Sequence, residues 1–157
     1  MVCFLVLMVR FFFRETAGEG GALVLALRYA ASASLLAFAV GIGMSALGGP
    51  RVGETGNLLP LHAAGFHGLQ AIPLVALLLK WASAPEGEVR RAVHLAGLLW
   101  LAACFAIAWQ TFQGRSVLGP SAATGIAAAV LLLWAVIAWK ALLSFRRSGA
   151  RLEFLAA

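Results

Sequence analysis

The chain has 157 residues, of which 62% are hydrophobic and 11% charged, and its formal net charge is +6. Soluble domains are roughly half apolar and about a quarter charged, so this composition excludes an ordinary soluble domain and indicates an integral membrane protein. The basic residues flank apolar segments and form no patch with interleaved aromatics, which argues against nucleic acid as a partner. Membrane topology and contact with anionic lipid head groups explain the charge more simply.

The first thirteen residues, Met1–Phe13, are apolar apart from Arg10. A helix of this length reaches only about 20 Å, which is too short to cross a bilayer. We interpret the segment as an interfacial helix that begins an N-terminal interfacial or cytoplasmic region at 1–21. A misassigned start codon and continuation into a longer first helix stay open as alternatives, although Gly18 and Gly20 argue against the second.

Four later segments are long enough to cross about 30 Å of hydrocarbon, which takes about 20 helical residues. They lie at 22–47, 61–82, 91–112 and 121–144. Glycine, proline and charged residues fill the short connections, and short connections make consecutive spans antiparallel neighbours. The sequence therefore predicts an all-α, integral membrane, four-helix up-down bundle over 22–147, followed by a cytoplasmic tail at 148–157.

Lysine and arginine are distributed unevenly between the two ends of this predicted bundle. Nine lie at the end that holds both termini: Arg10, Arg14, Lys80, Arg90, Arg91, Lys140, Arg146, Arg147 and Arg151. Two, Arg51 and Arg115, lie at the opposite end. Because cytoplasmic loops carry an excess of basic residues, we expect a multi-pass protein of the bacterial inner membrane with both termini in the cytoplasm.

Two of the spans carry small residues at four-residue spacing, a pattern that lets helix backbones approach closely in lipid. These are Ala33, Ala37, Gly41 and Ser45 in the first span and Ser121, Gly125 and Ala129 in the fourth. We interpret both ridges as packing surfaces within the bundle. A homo-oligomer interface, or contact with a larger membrane complex, is the alternative.

The second span holds an unusual pair of polar residues, His67 and Gln70, one helical turn apart and just before Pro73. Polar side chains within a membrane span are costly, so the pair calls for a function or a partner. The predicted orientation places His67 roughly 10 Å below the outer surface and Gln70 roughly 4–5 Å deeper. The third span brings Gln110 and Gln113 to the same outer half.

Residues three or four positions apart share a helix face, so Ala63, His67, Gln70 and Leu74 form one stripe. A stripe with Ala103, Ala106, Gln110 and Gln113 on the third span could face it and enclose a pocket. We expect this pocket to bind a small ligand or cofactor, with haem and quinone as the first candidates. The predicted binding residues are His67, Gln70, Gln110, His62 and Gln113.

Two structural interpretations compete with this site. Pro73 leaves the carbonyl of Leu69 without its helical donor, and Gln70 could simply serve that need. His94 and Arg28 lie near the inner surface, where we expect them to snorkel toward the head groups. His94 and His67 differ by roughly 15 Å in depth, so one haem ligated by both is disfavoured.

Several enzyme signatures are missing from the sequence, including a glycine-rich phosphate loop, an HExxH pattern and a nucleophile elbow. The few His, Cys and acidic residues give no convincing metal pattern, so we assign no catalytic residue and no metal ligand. We expect a non-enzymatic ligand-binding membrane protein. A structural or accessory subunit is the alternative, and a small transporter or channel comes third because inverted repeats are not detectable.

The segment from His62 to Leu74 contains the pattern H-x4-H-x-L-Q-x-x-P-L, and Trp109, Gln110 and Gly114 follow as W-Q…G. In both respects the chain resembles a group of small bacterial membrane proteins of uncharacterised function, over roughly residues 44–120. The resemblance implies a four-span fold and no particular activity. In that group a polar, often acidic residue tends to precede the first histidine, where this chain has Leu61.

Overall fold

The computed structural model describes residues 21–149, together with Val6 and Phe12. Within these residues it contains four long helices and one small antiparallel sheet. They are α1 (Gly21–Ala46), β1 (Arg51–Val52), β2 (Gly56–Asn57), α2 (Leu59–Trp81), α3 (Glu86–Phe112) and α4 (Ala122–Arg147). All four helices are long and apolar enough to cross a membrane, which confirms the predicted all-α four-helix fold and the multi-pass membrane class. The predicted interfacial helix, apart from Val6 and Phe12, and most of the tail lie outside the described residues.

The helices α2 and α3 form the centre of the bundle. Helix α1 packs on both of them from one side, and α4 packs on both from the other. At one end of the bundle the β1–β2 hairpin meets the α3–α4 loop; we call this the hairpin end. The opposite end, where α1 begins and α4 finishes, is called the terminal end. Antiparallel neighbours therefore place both described ends of the chain at the terminal end.

Ala33 and Ala37 of the first small-residue ridge pack as the sequence predicted, against glycines of α2, whereas Ser45 is exposed. Ala33 and Ala37 are fully buried. A Cβ atom added to Gly65 would lie 2.7 Å from both the carbonyl oxygen of Ala33 and the Cβ of Ala37, and one on Gly68 would lie 2.7 Å from the Cβ of Ala33. The two backbones approach so closely because neither face carries a larger side chain, which is how helices gain packing energy in lipid.

The second ridge does not pack within the bundle at Gly125 and Ala129, so the prediction was wrong for these two residues. Gly125 and Ala129 are exposed, and a Cβ added to Gly125 would have no described atom within 4 Å. Helix α4 turns larger side chains toward its neighbours, among them Trp134 and Ile137. The fourth span thus leaves Gly125 and Ala129 on the outer surface and buries two other small residues, Ala127 and Ala141.

Two separate apolar cores fill the described part of the bundle. The core at the terminal end draws on all four helices, with Ala26, Val75, Val93 and Ala141 as representatives. The core at the hairpin end consists of Val40, Leu58, Leu61 and Cys104, with partly buried neighbours from α1 to α3 and none from α4. Helix α4 therefore leaves the core in the hairpin half, and a gap opens beside it.

The hairpin end is closed by contacts between the hairpin and the α3–α4 loop. The Thr55 amide donates to the carbonyl of Gly114 at 3.0 Å, and the Ser116 amide donates to the Thr55 hydroxyl at 3.0 Å. Gly53 and Gly114 both have positive φ, and a Cβ on Gly53 would lie 2.7 Å from the Gly114 Cα. The sequence predicted a loop here, but not this glycine-to-glycine contact.

Candidate functional site

An open groove of about 380 Å³ lies in the hairpin half, where α4 leaves the core. It is lined by Pro60, Ala63, Ala64 and His67 of α2, by Trp100, Ala103, Cys104 and Ile107 of α3, and by Leu131 of α4. Three of these residues are alanines, whose small side chains leave room between the helices. The groove is a mostly apolar surface with one imidazole in its wall.

His67 is the lining residue with the clearest capacity for polar recognition. The side chain is exposed, and neither ring nitrogen forms a hydrogen bond within residues 21–149. A neutral imidazole offers one donor and one acceptor. Because His67 lies eight residues after Leu59, the first residue of α2, it stands about 12 Å along the helix. An unsatisfied polar group at that depth gains most from a ligand that can pair with it.

Trp100 forms a fixed aromatic wall of the groove. Its Nε1 donates to the carbonyl of Ala64 at 3.0 Å, and its ring meets Trp134 edge-on with centroids 5.0 Å apart. Gly68 leaves room for the indole, since a Cβ there would lie only 3.1 Å from the Trp100 Nε1. A restrained indole is suited to contact a planar apolar ligand.

Gln70 does not line the groove. With its amide nitrogen turned toward the backbone, it donates to the carbonyl oxygens of His67 at 3.2 Å and Phe66 at 3.3 Å. The structure thus gives Gln70 an intrahelical role, but its partners are the carbonyls of Phe66 and His67. The Leu69 carbonyl, which Pro73 leaves without its helical donor, is not among them. The predicted α2 stripe was expected to face an enclosed pocket. Its residues Ala63 and His67 border the groove, whereas Gln70 and Leu74 are exposed away from it.

His62 is a structural residue of the α1–α2 interface. Its Nδ1 donates to the carbonyl oxygen of Ala37 at 2.8 Å, and its ring meets Phe66 edge-on at 4.9 Å. A carbonyl can only accept, so Nδ1 carries the proton. Gly41 makes space for the ring, because a Cβ there would lie 3.0 Å from the imidazole Cε1.

Gln110 holds the α3–α4 loop and does not reach the groove. It is 2% exposed, and its Nε2 donates to the carbonyls of Ser116 at 3.0 Å and Gly119 at 3.4 Å. Its Oε1 accepts from the Ser121 hydroxyl at 2.7 Å. Ser121 in turn caps α4 by accepting from the Thr124 amide. Both atoms of the Gln110 amide are therefore hydrogen-bonded inside the protein.

The remaining polar candidates lie apart from the groove. Gln113 is exposed and forms the C-cap of α3. His94 belongs to the terminal half, where its Nδ1 is hydrogen-bonded to the Tyr29 hydroxyl at 3.0 Å; this pairing between α1 and α3 was not predicted. Gly97 admits the Tyr29 ring, since an added Cβ would overlap it. The sequence did hold a sign of this pairing, because Tyr29 and His94 lie at similar depths in their helices and Gly97 leaves room beside them.

Among residues 21–149, no group of three or more His, Cys, Asp or Glu side chains is placed to hold a metal ion. His67 is the one histidine among the groove's lining residues, and the lining includes no carboxylate that could orient it as a general base. In comparisons with protein-family models, curated proteins and solved structures, nothing matches this chain.

Proposed function

We propose that the protein is a non-enzymatic multi-pass protein of the bacterial inner membrane that binds a small apolar ligand in the His67 groove. The observation that carries this proposal is the contrast between the polar residues. His62 and Gln110 have strong partners inside the protein, whereas His67 lines an apolar groove and forms no hydrogen bond within the described residues. A ligand with a hydrogen-bonding group would supply the partner that the His67 imidazole does not have among the described residues.

The size and chemistry of the groove favour a quinone ring. Small-molecule sites have volumes of about 300–1,000 Å³, and the groove of about 380 Å³ lies near the lower limit. A quinone has a planar ring for contact with Trp100 and a carbonyl oxygen that can accept from His67. Its apolar tail would leave through the open side of the groove into lipid.

Haem suits the groove less well. Its macrocycle is larger than a single quinone ring, and among the lining residues His67 and Cys104 are the two that could ligate iron. Cys104 is fully buried, as expected for a small packing residue. The histidine at the far end, His94, is bonded to Tyr29. We therefore place haem second.

The proposed orientation puts the groove in the outer half of the membrane. The hairpin end carries Arg51 and Arg115, and the terminal end carries the basic residues that adjoin α2, α3 and α4: Lys80, Arg90, Arg91, Lys140, Arg146 and Arg147. The excess of basic residues at the terminal end supports its location in the cytoplasm.

A second candidate function is that of an accessory subunit in a larger membrane assembly or a homo-oligomer. The observation in its favour is the outer face of α4, where Gly125 and Ala129 lie exposed beside Leu132 and Leu133. Small residues on an outer helix face allow another helix to approach closely. In this case a helix of another protein, and not lipid, would cover the outer face of α4.

Purification in mild detergent tests the ligand proposal. Extracted small molecules are identified by mass spectrometry, and a visible spectrum is recorded for the native chain, His67→Ala and Gln70→Ala. We expect a quinone to accompany the native chain and Gln70→Ala and to be lost from His67→Ala. A Soret band that depends on His67 would establish haem instead. If no small molecule accompanies any of the three, the ligand proposal is overturned, and the mass of the particle decides whether the accessory-subunit function replaces it.

A further inference from the structure

A second cavity, at the terminal end of the bundle, combines basic and apolar side chains. This basic cleft has a volume of about 270 Å³. It is lined by Leu79 of α2, by Glu88, Arg91, Ala92 and Leu95 of α3, and by Ile137, Lys140, Ala141 and Ser144 of α4. The cleft lies on the far side of the Trp100–Trp134 contact from the His67 groove and shares no lining residue with it.

Two cations from different helices line the cleft. Arg91 belongs to α3 and Lys140 to α4, and one carboxylate, Glu88, lies with them. No ion pair joins any of the three to another described residue. Two positive charges and one negative charge leave a formal charge of +1 in the cleft, which matches the single negative charge of a phosphodiester.

These charges are set back from the helix ends. Arg91 lies five residues after the first residue of α3, and Lys140 lies seven residues before the last residue of α4. At 1.5 Å per residue, the distances are about 7 Å and about 10 Å. Cations at that depth stand near the boundary between head groups and hydrocarbon, where a basic side chain is costly unless it reaches the interface or meets an anion.

Apolar side chains continue the cleft toward the middle of the bundle. Leu79 is buried and forms its floor, while the exposed Leu95 stands at its side. Ala92 and Ala141 are small, so the two helices leave space between Arg91 and Lys140. The cleft therefore presents cations at one level and hydrocarbon surface at the next, which is the order of groups along a phospholipid.

We propose that the basic cleft binds one anionic phospholipid from the surrounding leaflet. Its phosphate would lie between Arg91 and Lys140, with the Ser144 hydroxyl as a further donor, and the first part of an acyl chain would pack on Leu95 and Ile137. Basic pockets between membrane helices bind anionic head groups in this way. Free phosphate offers the same charge but would leave the apolar wall unused.

Lipid binding to the whole purified protein tests the proposal. After delipidation, the chain is titrated with dioleoyl phosphatidylglycerol, with dioleoyl phosphatidylcholine and with inorganic phosphate, and bound lipid is counted by native mass spectrometry. The variants are Arg91→Gln, Lys140→Gln and Ala92→Leu, which fills the cleft without changing its charge. Arg90→Gln is the matched control, because Arg90 is an exposed neighbour that does not line the cleft. Thermal unfolding of each variant without lipid shows whether it is folded.

We expect phosphatidylglycerol to bind more tightly than phosphatidylcholine. Removal of either cleft cation should weaken that binding roughly fivefold, in line with the usual contribution of one basic residue near a membrane surface. Ala92→Leu should weaken it as well, and Arg90→Gln should leave it unchanged. Equal losses in Arg90→Gln and Lys140→Gln would overturn the proposal, because they would indicate bulk charge attraction. Equal binding of inorganic phosphate would also overturn it, in favour of a soluble anion.

Discussion

The Nδ1 atom of His62 lies 2.8 Å from the carbonyl oxygen of Ala37, so a hydrogen bond joins the first two helices of the bundle. This bond lies one turn from the contact of Gly65 with Ala33 and Ala37. The two histidines of α2 are five residues apart, so they lie on different sides of the helix and have different surroundings. His62 is bonded within the protein, whereas His67 lines the groove with both ring nitrogens open to a ligand.

The His62 bond makes a prediction about its tautomer. Because the Ala37 carbonyl can only accept, neutral His62 should carry its proton on Nδ1. A histidine without such a partner can carry it on either ring nitrogen. Two-bond ¹H–¹⁵N correlation spectra of the detergent-solubilised protein, with ¹⁵N-histidine labelling, distinguish the tautomers. His62→Gln identifies the resonance. Observation of the Nε2–H tautomer for His62 would contradict the described interface.

The α1–α2 contact should be intolerant of added volume. In Gly65→Ala the new methyl would lie 2.7 Å from the Ala33 carbonyl oxygen and the Ala37 Cβ, and neither can move without shifting a backbone. We expect a loss of about 1–3 kcal/mol, the usual cost of overpacking. The measurement is the free energy of unfolding in mixed micelles.

Gly125→Ala is the matched control for that experiment. It places the same methyl on a helix at a site with no described atom within 4 Å. Alanine is a better helix former than glycine by up to about 1 kcal/mol, so stability should stay constant or rise slightly. A Gly125→Ala loss as large as that of Gly65→Ala would show that the outer face of α4 is packed against another chain.

Gln110 should matter more for stability than Gln113, although the sequence assigned both to the same site. Gln110→Leu removes the side-chain bonds to the carbonyls of Ser116 and Gly119 and to the hydroxyl of Ser121. Each of these groups keeps one other partner, in Gly119 or Thr124. We expect a loss of about 2–3 kcal/mol, since three hydrogen bonds are lost and each contributes about 0.5–1.5 kcal/mol. The exposed Gln113→Leu should change stability by less than about 0.5 kcal/mol. Hydrogen exchange of the 115–121 amides should rise in Gln110→Leu alone, and equal effects of the two variants would contradict this role.

The sequence predicted the large-scale fold because membrane thickness and hydrophobicity determine it directly. Helix α3 begins five residues before the predicted span, since Pro85 and the acidic residues of its first turn extend the helix beyond the hydrocarbon core. The packing predicted for the first small-residue ridge is confirmed at Ala33 and Ala37, because two glycines of α2 face them. The second was wrong because small residues allow close packing without requiring it, and here Trp134 and Ile137 turn α4 the other way.

The candidate site was predicted less completely. Depth along a helix is readable from a sequence, and it correctly placed His67 beside Ala63 and Ala103. The partner of a polar side chain is not readable, because it depends on rotation about the helix axis and on loop conformation. Gln110 and His62 have the right depth for the groove, yet a loop carbonyl and a neighbouring helix backbone satisfy them. Tyr29 had no assigned role until the structure placed it on His94.

The proposed topology can be tested with two single cysteines in a chain whose Cys3 and Cys104 are replaced by alanine. Arg115→Cys lies in the exposed α3–α4 loop, and Gly87→Cys lies exposed in the first turn of α3. A membrane-impermeant maleimide added to spheroplasts should label position 115 and should reach position 87 only after lysis. The reverse pattern would place the His67 groove in the cytoplasmic half.

The most direct test of ligand binding is a fluorescence titration of the purified protein with a decyl-benzoquinone. Trp100 lines the groove, so a bound quinone ring should quench its emission. The titration compares the native chain with His67→Ala and with Gln70→Ala, its exposed neighbour one turn along α2. We predict saturable quenching in the native chain and Gln70→Ala, and at least roughly fivefold weaker binding in His67→Ala, as expected for a lost hydrogen bond of about 1 kcal/mol. Quenching that is linear in quinone, or that is identical in the native chain and His67→Ala, would contradict the assignment of the groove as the binding site.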